Sequence, residues 1–387
     1  MRILSIHNRY QIRGGEDESS ALDEYLLREH GHHVTRYEEH NDRIASLNAI
    51  HVALRTVWSR ESYHHVRQHL RHFPTDLVHV QNFFPLISPS VYYAAKAHKV
   101  PVVQSIRNYR LICPNGLFFR AGRVCEDCMG KRLPWPGALH ACYRQNRAAS
   151  ATVVAMLTMH RLLRTWLKQV DVFIAISQFA RQKCIEAGLP ENKIVVKPNF
   201  VHPDPGIGAG RSGYALYVGR LSTEKGLDTL LNAWSQLRNP IPLKIAGDGP
   251  LAAQVEAAAR QLSHVTWLGR RSREETQALM GEAMMLIFPS KWYETFGRVA
   301  VEAFAAGTPV IAANLGAIAE LVEHGRTGLH FRPGDAAALA AQVEWAIAHP
   351  IEMQHMRREA RAVFEARYTG QANYRQLMEI YHRTRNR

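Results

Sequence analysis

The feature that most limits what this chain can fold into is a pattern that runs twice. Short β-rich apolar runs alternate with segments of helical length. In the first series the strand candidates are Arg2–His7, His33–Tyr37, Leu77–Val80, Val102–Ser105, Val172–Ile176 and Ile194–Lys197, with helix candidates Glu16–Glu29, Ser90–Ala97 and Gln178–Ala187 among them. In the second they are Ala215–Val218, Leu243–Ala246, Val265–Trp267, Met285–Phe288 and Val310–Ala312, with a helix over Arg298–Ala306 that ends at Gly307, a left-handed cap position. Such alternation marks parallel βαβ units. Between the series, Pro198–Gly213 reads PNFVHPDPGIGAGRSG, a linker by composition. The expectation is α/β: a Rossmann-like domain over 1–197, a linker over 198–213 and a second such domain over 214–365. A final helix over 366–387 is expected to cross back to the first domain. Open parallel sheets take ligands beyond the carboxyl ends of their strands, so both doubly wound domains are expected to face a central cleft.

At 387 residues each half is long enough to build its own core. No apolar run reaches the roughly 18 residues of a spanning helix, and the opening MRILSIHNRY reads as a strand rather than a signal peptide. A cytoplasmic protein is expected, with peripheral attachment to the inner face of the cytoplasmic membrane as the alternative. The net charge of +14 is uneven: residues 1–200 hold 27 Lys/Arg against 16 Asp/Glu, residues 201–387 hold 21 against 18, and residues 96–197 alone hold 17 against 5. A basic first half implies either an anionic partner or a solvated basic surface.

Three motifs of the second half fall where strands give way to helices. GRLSTEKG, Gly219–Gly226, sets Arg220 and Lys225 five residues apart, two cations suited to a diphosphate beside a helix start. IAGDGP, Ile245–Pro250, offers Gly247 and Gly249, where backbone can approach a ligand closely. PSKWYETFGRVAVEAFAAGTPVIA, Pro289–Ala312, spaces Glu294 and Glu302 eight apart, carboxylates suited to the paired hydroxyls of a sugar or ribose or, alternatively, a surface residue and a buried structural partner. Thr295, Phe296 and Gly297 stand at the helix start, whose N–H groups lack intrahelical acceptors. Neither half carries a G-x-G-x-x-G opening a helix, which counts against an NAD or FAD enzyme.

Together with WLGR and the later GRTGLHFRPGD, these motifs resemble the retaining glycosyltransferases of family 4 (group 1), in order and spacing, from Tyr214 to about Trp345. The first half is similar more loosely, through GGEDES, VHVQNFFPLISPSV and RNYRLICPNG. The resemblance implies the GT-B fold and a nucleotide-sugar donor, a UDP- or GDP-sugar. By carry-over, Arg220 and Lys225 hold the donor diphosphate, Glu302 the ribose, and Glu294 the transferred sugar. Gly219, Gly247, Gly249, Thr295, Phe296 and Gly297 line the same site. Gly14 and Gly15 let the first-domain loop approach donor and acceptor. Many relatives carry a His after the fourth strand, where this chain reads Ser105-Ile106-Arg107-Asn108-Tyr109; Arg107 or Asn108 is expected to take its hydrogen-bonding role. No D-x-D cation clamp is present, so no cofactor is expected for catalysis and the leaving diphosphate must be met by Arg220, Lys225 and helix N-termini. The acceptor is expected to be a glycan or a polyprenyl-diphosphate-linked glycan, in surface polysaccharide synthesis. A nucleotide-sugar 2-epimerase or a phosphorylase of the same fold is an alternative, and a basic nucleic-acid-binding protein a more distant one.

Two features of the first half stand apart. Cys113, Cys125, Cys128 and Cys142 form C-x11-C-x2-C-x13-C within an irregular Cys-rich loop over 107–142, a pattern that fits a structural zinc, a labile disulfide or unligated thiols. After it, Tyr143–Gln169 reads as one helix with basic Arg144, Arg147, Arg161, Arg164 and Lys168 beside apolar Val153, Val154, Met156, Leu157, Leu162 and Trp166. That is a candidate contact with an anionic membrane, or an ordinary core helix with a solvated basic side.

Overall fold

The structure of the protein, a computed structural model, describes residues 1–12 and 14–386. The chain forms two compact units. One contains Met1–Phe118, Glu126–Pro198 and the segment that begins at Asn373; the other contains Phe119–Cys125 and Asn199–Ala372.

The first unit is built on a parallel sheet of β1 (Arg2–Arg9), β2 (His33–His40), β3 (Leu77–Asn82) and β4 (Val102–Ile106), which a short hairpin of β5 (Phe119–Arg120) and β6 (Arg123–Val124) separates in sequence from β7 (Val172–Ala175) and β8 (Ile194–Val196). The order is β2-β1-β3-β4-β7-β8. Strands β3, β4 and β7 are buried at every position, as expected of a parallel sheet covered on both faces. Helices start where the sequence supplies a cap: the side chains of Asn48, Ser59, Asn146 and Ser177 each accept a first-turn N–H.

The second unit repeats the plan with β9 (Ala215–Val218), β10 (Leu243–Ala246), β11 (Val265–Gly269), β12 (Met285–Phe288), β13 (Val310–Ala313) and β14 (Gly328–Phe331). All pairs are parallel, in the order β11-β10-β9-β12-β13-β14. Trp234, Leu230, Ile245, Ile287, Ile311 and Val343 lie in its core. Of the stretch Pro198–Gly213, all but Pro198 belongs to this unit, where Gly208 N donates to Ala306 O and Gly210 N to Gly281 O. In each sheet the chain winds one way from its first strand and then returns to the other side. The direction changes between β1 and β3 in one unit and between β9 and β12 in the other.

The single helix expected over Tyr143–Gln169 is two helices. Arg144 and Gln145 hold positive φ, so the first helix starts only at Arg147, capped by Asn146, and runs to Leu162. Arg164 then adopts a left-handed conformation, φ 53°, that no α-helix can continue, and Thr165–Lys168 forms a separate turn.

Candidate functional site

Strands β9 and β12 are neighbours, with Ala215 opposite Met285 and Leu216 opposite Leu286, so the loops that leave their carboxyl ends emerge side by side. Lys225 lies in the first loop and Glu294 in the second. Lys225 Nζ donates to Glu294 Oε1 at 2.6 Å; Ser290 Oγ and Trp292 Nε1 each donate to the same oxygen at 2.8 Å. Glu294 is only 6% exposed. The lysine ammonium also stands 5.2 Å from the centre of the Trp292 ring. The backbones are joined as well, through Lys291 N donating to Glu224 O at 2.8 Å.

Arg220 is placed by its own strand. Tyr217 in β9 donates its hydroxyl to Arg220 O at 3.0 Å, and burial, aided by Glu294 and Glu224, pushes that phenol above its ordinary range. The Arg220 side chain is exposed and, among the described residues, makes no ion pair. Gly247 and Gly249 prove to be needed by the protein itself. A Cβ at Gly247 would lie 1.9 Å from Gly219 O, and one at Gly249 would lie 2.6 Å from Leu221 O. These glycines let the loop after β10 lie against the loop after β9, where Leu221 N donates to Asp248 O. Close packing of loop on loop by itself requires glycine at both positions.

At the second carboxylate, Gly297 holds φ 103° and opens the helix Arg298–Ala305. Thr295 and Phe296 just before it are buried, at 9% and 5% exposure. Glu302 accepts from Arg298 Nε at 2.9 Å, a pair one helical turn apart. Sequence reasoning missed Ser290, Trp292 and Arg298 as partners of the two glutamates. For Arg298 the i,i+4 spacing was a readable signal. The loop after β9 thus offers an exposed guanidinium and an ammonium with donors still to place, and the segment after β12 offers one buried and one partly exposed carboxylate. Such groups can grip an anion and accept from the hydroxyls of a sugar.

The residues expected on the acceptor side all lie in the first unit. Gly14 caps the helix Gly15–Glu29, and Asp17 of its first turn accepts from Gly14 N at 3.0 Å while His7 Nε2 contacts its other oxygen at 2.7 Å. A Cβ added at Gly15 would meet nothing within 4 Å. Asn108, partly exposed, donates to Glu16 Oε1 at 2.7 Å in that same first turn. Arg107 is turned inward. Its guanidinium donates to Asp23 Oδ2 at 2.6 Å and to Gln81 Oε1 at 2.9 Å, and it is 7% exposed. Asp23 also accepts from Lys197 Nζ at 3.1 Å. Burial opposes the Asp23 charge, but Lys197 and Arg107 outweigh it and hold that carboxyl below its ordinary value. Of the pair Arg107 and Asn108, Asn108 is the one left near the surface.

The four cysteines do not gather as a zinc site. Among the described residues no group of three or more His, Cys, Asp and Glu is placed to hold a metal ion. Cys113 Sγ donates to Asn115 Oδ1 at 3.0 Å and Cys128 Sγ points at Pro134 O at 3.7 Å. Burial pushes the Cys113 thiol up. The loop is held by packing instead. The Arg110 guanidinium lies 4.5 Å from the centre of the Phe84 ring and 4.9 Å from that of Tyr143, and it donates to Pro114 O. Pro114 in turn sits so close to Gly137 that a Cβ there would come within 2.5 Å of it.

Residues 208–363 match the family profile of glycosyl transferases group 1, and residues 25–199 match that of the glycosyl transferase 4-like domain. A glycogen synthase of Mycobacterium tuberculosis is 36% identical over 172 residues, 43% of this chain and 41% of that protein. The alignment thus spans about two fifths of that relative's length. An uncharacterized 42.6 kDa protein in the cps region of Klebsiella pneumoniae is 27% identical over 82% of this chain and 86% of its own. The crystal structure of Anabaena Alr3699/HepE in complex with UDP-glucose superposes with a TM-score of 0.69 at 20% identity, over 98% of each chain. Two parallel sheets of this order, that superposition and a matched profile over each half lead to one conclusion: the chain belongs to the group 1 glycosyltransferases of family 4, with the GT-B fold.

Proposed function

We propose that this protein transfers a hexosyl group from a nucleotide sugar to a glycan or lipid-linked glycan, with retention of anomeric configuration. The observation that carries the reading is the meeting of Lys225 with Glu294, with Arg220 in the same loop as Lys225, where the winding of the second sheet changes direction. Arg220 and Lys225 take the donor diphosphate, Glu302 the ribose and Glu294 the transferred sugar. As the bond to the sugar breaks, charge grows on the departing diphosphate, and the two fixed cations stabilise it without reorganisation. No resident metal is required in this scheme. A lysine already held on Glu294 couples the two halves of the donor, because its ammonium can bridge phosphate and sugar-binding carboxylate. Gly14 and Gly15, which no packing or backbone requirement explains, leave room for donor and acceptor at the first unit. The names of the relatives, a glycogen synthase and a protein of a cps region, support a polysaccharide product. A UDP-glucose complex in a protein of the same fold supports a UDP-sugar as the first donor to try.

The test is a panel of UDP-, GDP- and ADP-sugars, read by thermal shift and by donor hydrolysis, with and without EDTA. One nucleotide class should raise the melting temperature, and hydrolysis should survive chelation. No stabilisation by any nucleotide sugar would overturn the reading. Loss of hydrolysis in EDTA, restored by Mg²⁺ or Mn²⁺, would overturn its metal-free chemistry.

A further inference from the structure

One surface of the first unit is left unused by the donor and acceptor residues. The helix Arg147–Leu162 buries Val153, Val154, Met156 and Leu157. Its outward positions Ala148, Ala151, Ala155 and Leu162 recur at helical spacing and form a stripe without a charged side chain. Residues 131–143 run antiparallel along this helix. Arg161 donates to Lys131 O at one end, and Tyr143 N donates to Ser150 Oγ at 2.9 Å at the other. They add Leu133, Trp135 and Leu139, each more than half exposed, beside Leu162 at 71% and Leu163 at 48%. Soluble surfaces scatter such side chains singly, whereas here they share one helix and the strap lying on it.

The charge around this face has a matching arrangement. Between Asp127 and Asp171 the sequence holds seven Lys/Arg and no Asp or Glu. Arg161 is spent inward, on the carbonyls of Lys131, Leu111 and Ile112. The other six, Lys131, Arg132, Arg144, Arg147, Arg164 and Lys168, are exposed, and among the described residues none of them forms an ion pair. The cations stand at the ends of the apolar stripe rather than along it. An uncharged face with unpaired cations at its ends is suited to a boundary where hydrocarbon lies beneath a layer of phosphates.

We propose that this face is an interfacial lipid-binding surface. Leu133, Trp135, Leu139, Leu162 and Leu163 enter the boundary of an anionic bilayer, and the flanking Lys and Arg side chains meet lipid phosphates. The proposal rests on, and sharpens, the reading of a lipid-linked acceptor: attachment comes from apolar insertion at a defined face, not from diffuse positive charge alone.

The full-length protein is to be sedimented with phosphatidylcholine vesicles and with mixed phosphatidylcholine–phosphatidylglycerol vesicles. Binding is expected to the mixed vesicles only, with Trp135 emission shifted to the blue and quenched by spin-labelled lipid, a signal that Trp135→Phe removes. Arg164→Gln and Lys168→Gln should each weaken partitioning about fivefold. The combined Leu133→Ser, Leu139→Ser and Leu162→Ser variant should lose at least about tenfold with every cation in place. Failure to bind either vesicle, or a triple serine variant that partitions like the parent, would overturn the proposal. So would a dimer that the serine variant dissociates, since a second copy would then cover the face. UDP-glucose binding, measured on the same variants, should be unchanged, so failure of donor binding and failure of lipid binding are told apart.

Discussion

Arg220 and Lys225 share one loop but carry different structural burdens, and single substitutions should separate them. Lys225 is held on a buried carboxylate, whereas Arg220 is exposed and outside any ion pair among the described residues. Each is assigned a charge-assisted contact to the donor worth about 1.5–3 kcal/mol, so Arg220→Ala and Lys225→Ala should each cut turnover roughly tenfold to hundredfold. Only Lys225→Ala should also lower stability, by about 1–3 kcal/mol, because it removes the charged donor from a buried carboxylate. Urea midpoints and initial rates on both variants check this; equal stability losses would show that the ion pair is idle in the resting protein. Type and spacing single out Arg220, Lys225, Glu294 and Glu302 in the sequence, and of these the structure brings Lys225 and Glu294 into contact. Ser290 and Trp292 were not legible there, because their convergence on one oxygen depends on the turn between them. The inward pointing of Arg107 was hidden too, since its partner Asp23 is 84 positions away in sequence.

Among whole elements, the two loops after β9 and β10 behave as one piece. Gly247→Ala should force that piece apart and cost about 1–3 kcal/mol, with donor affinity falling as Arg220 is displaced. Gly15→Ala, which meets nothing, should leave stability within about 0.5 kcal/mol and alter only substrate kinetics. Denaturation midpoints and KM on the two variants give the comparison, and a stable Gly247→Ala protein would contradict the packing argument. Apolar runs gave away the other strands of the second sheet, but β14 went unread. It opens on Gly328, which lies so close to β13 that a Cβ would come within 1.9 Å of Val310 O. A glycine at such a contact is required by the sheet, yet in a sequence it speaks against a strand. The break at Arg164 was equally silent, because an arginine in a left-handed conformation has no compositional mark.

Across the whole molecule, two buried imidazoles should make the fold sensitive to acid. Burial lowers His79 to about 3 and His160 to about 4, from an ordinary 6.5. Between those values and pH 6.5 the unfolded chain binds protons that the folded chain refuses, so stability falls as pH drops below 6.5. At pH 5 each histidine should have cost about 2 kcal/mol. Denaturation midpoints from pH 7 to pH 5 should therefore fall steeply, and a His79→Gln, His160→Gln variant should show a shallower slope even if it starts lower. An unchanged slope would place the acid sensitivity elsewhere. His79 also marks how the first unit is completed. Its Nδ1 lies 2.6 Å from the hydroxyl of Tyr381, and Tyr381 and Leu377 fill the core beneath β1 and β4. During synthesis, Pro198 leaves the ribosome roughly 175 residues ahead of Asn373, an interval of about 10–35 s. Throughout it the socket for Tyr381 stands open, while every residue of the second unit emerges before the plug arrives. The sheet that is translated first is thus the one whose core is closed last, and a nascent chain must be shielded there until its final helix is made.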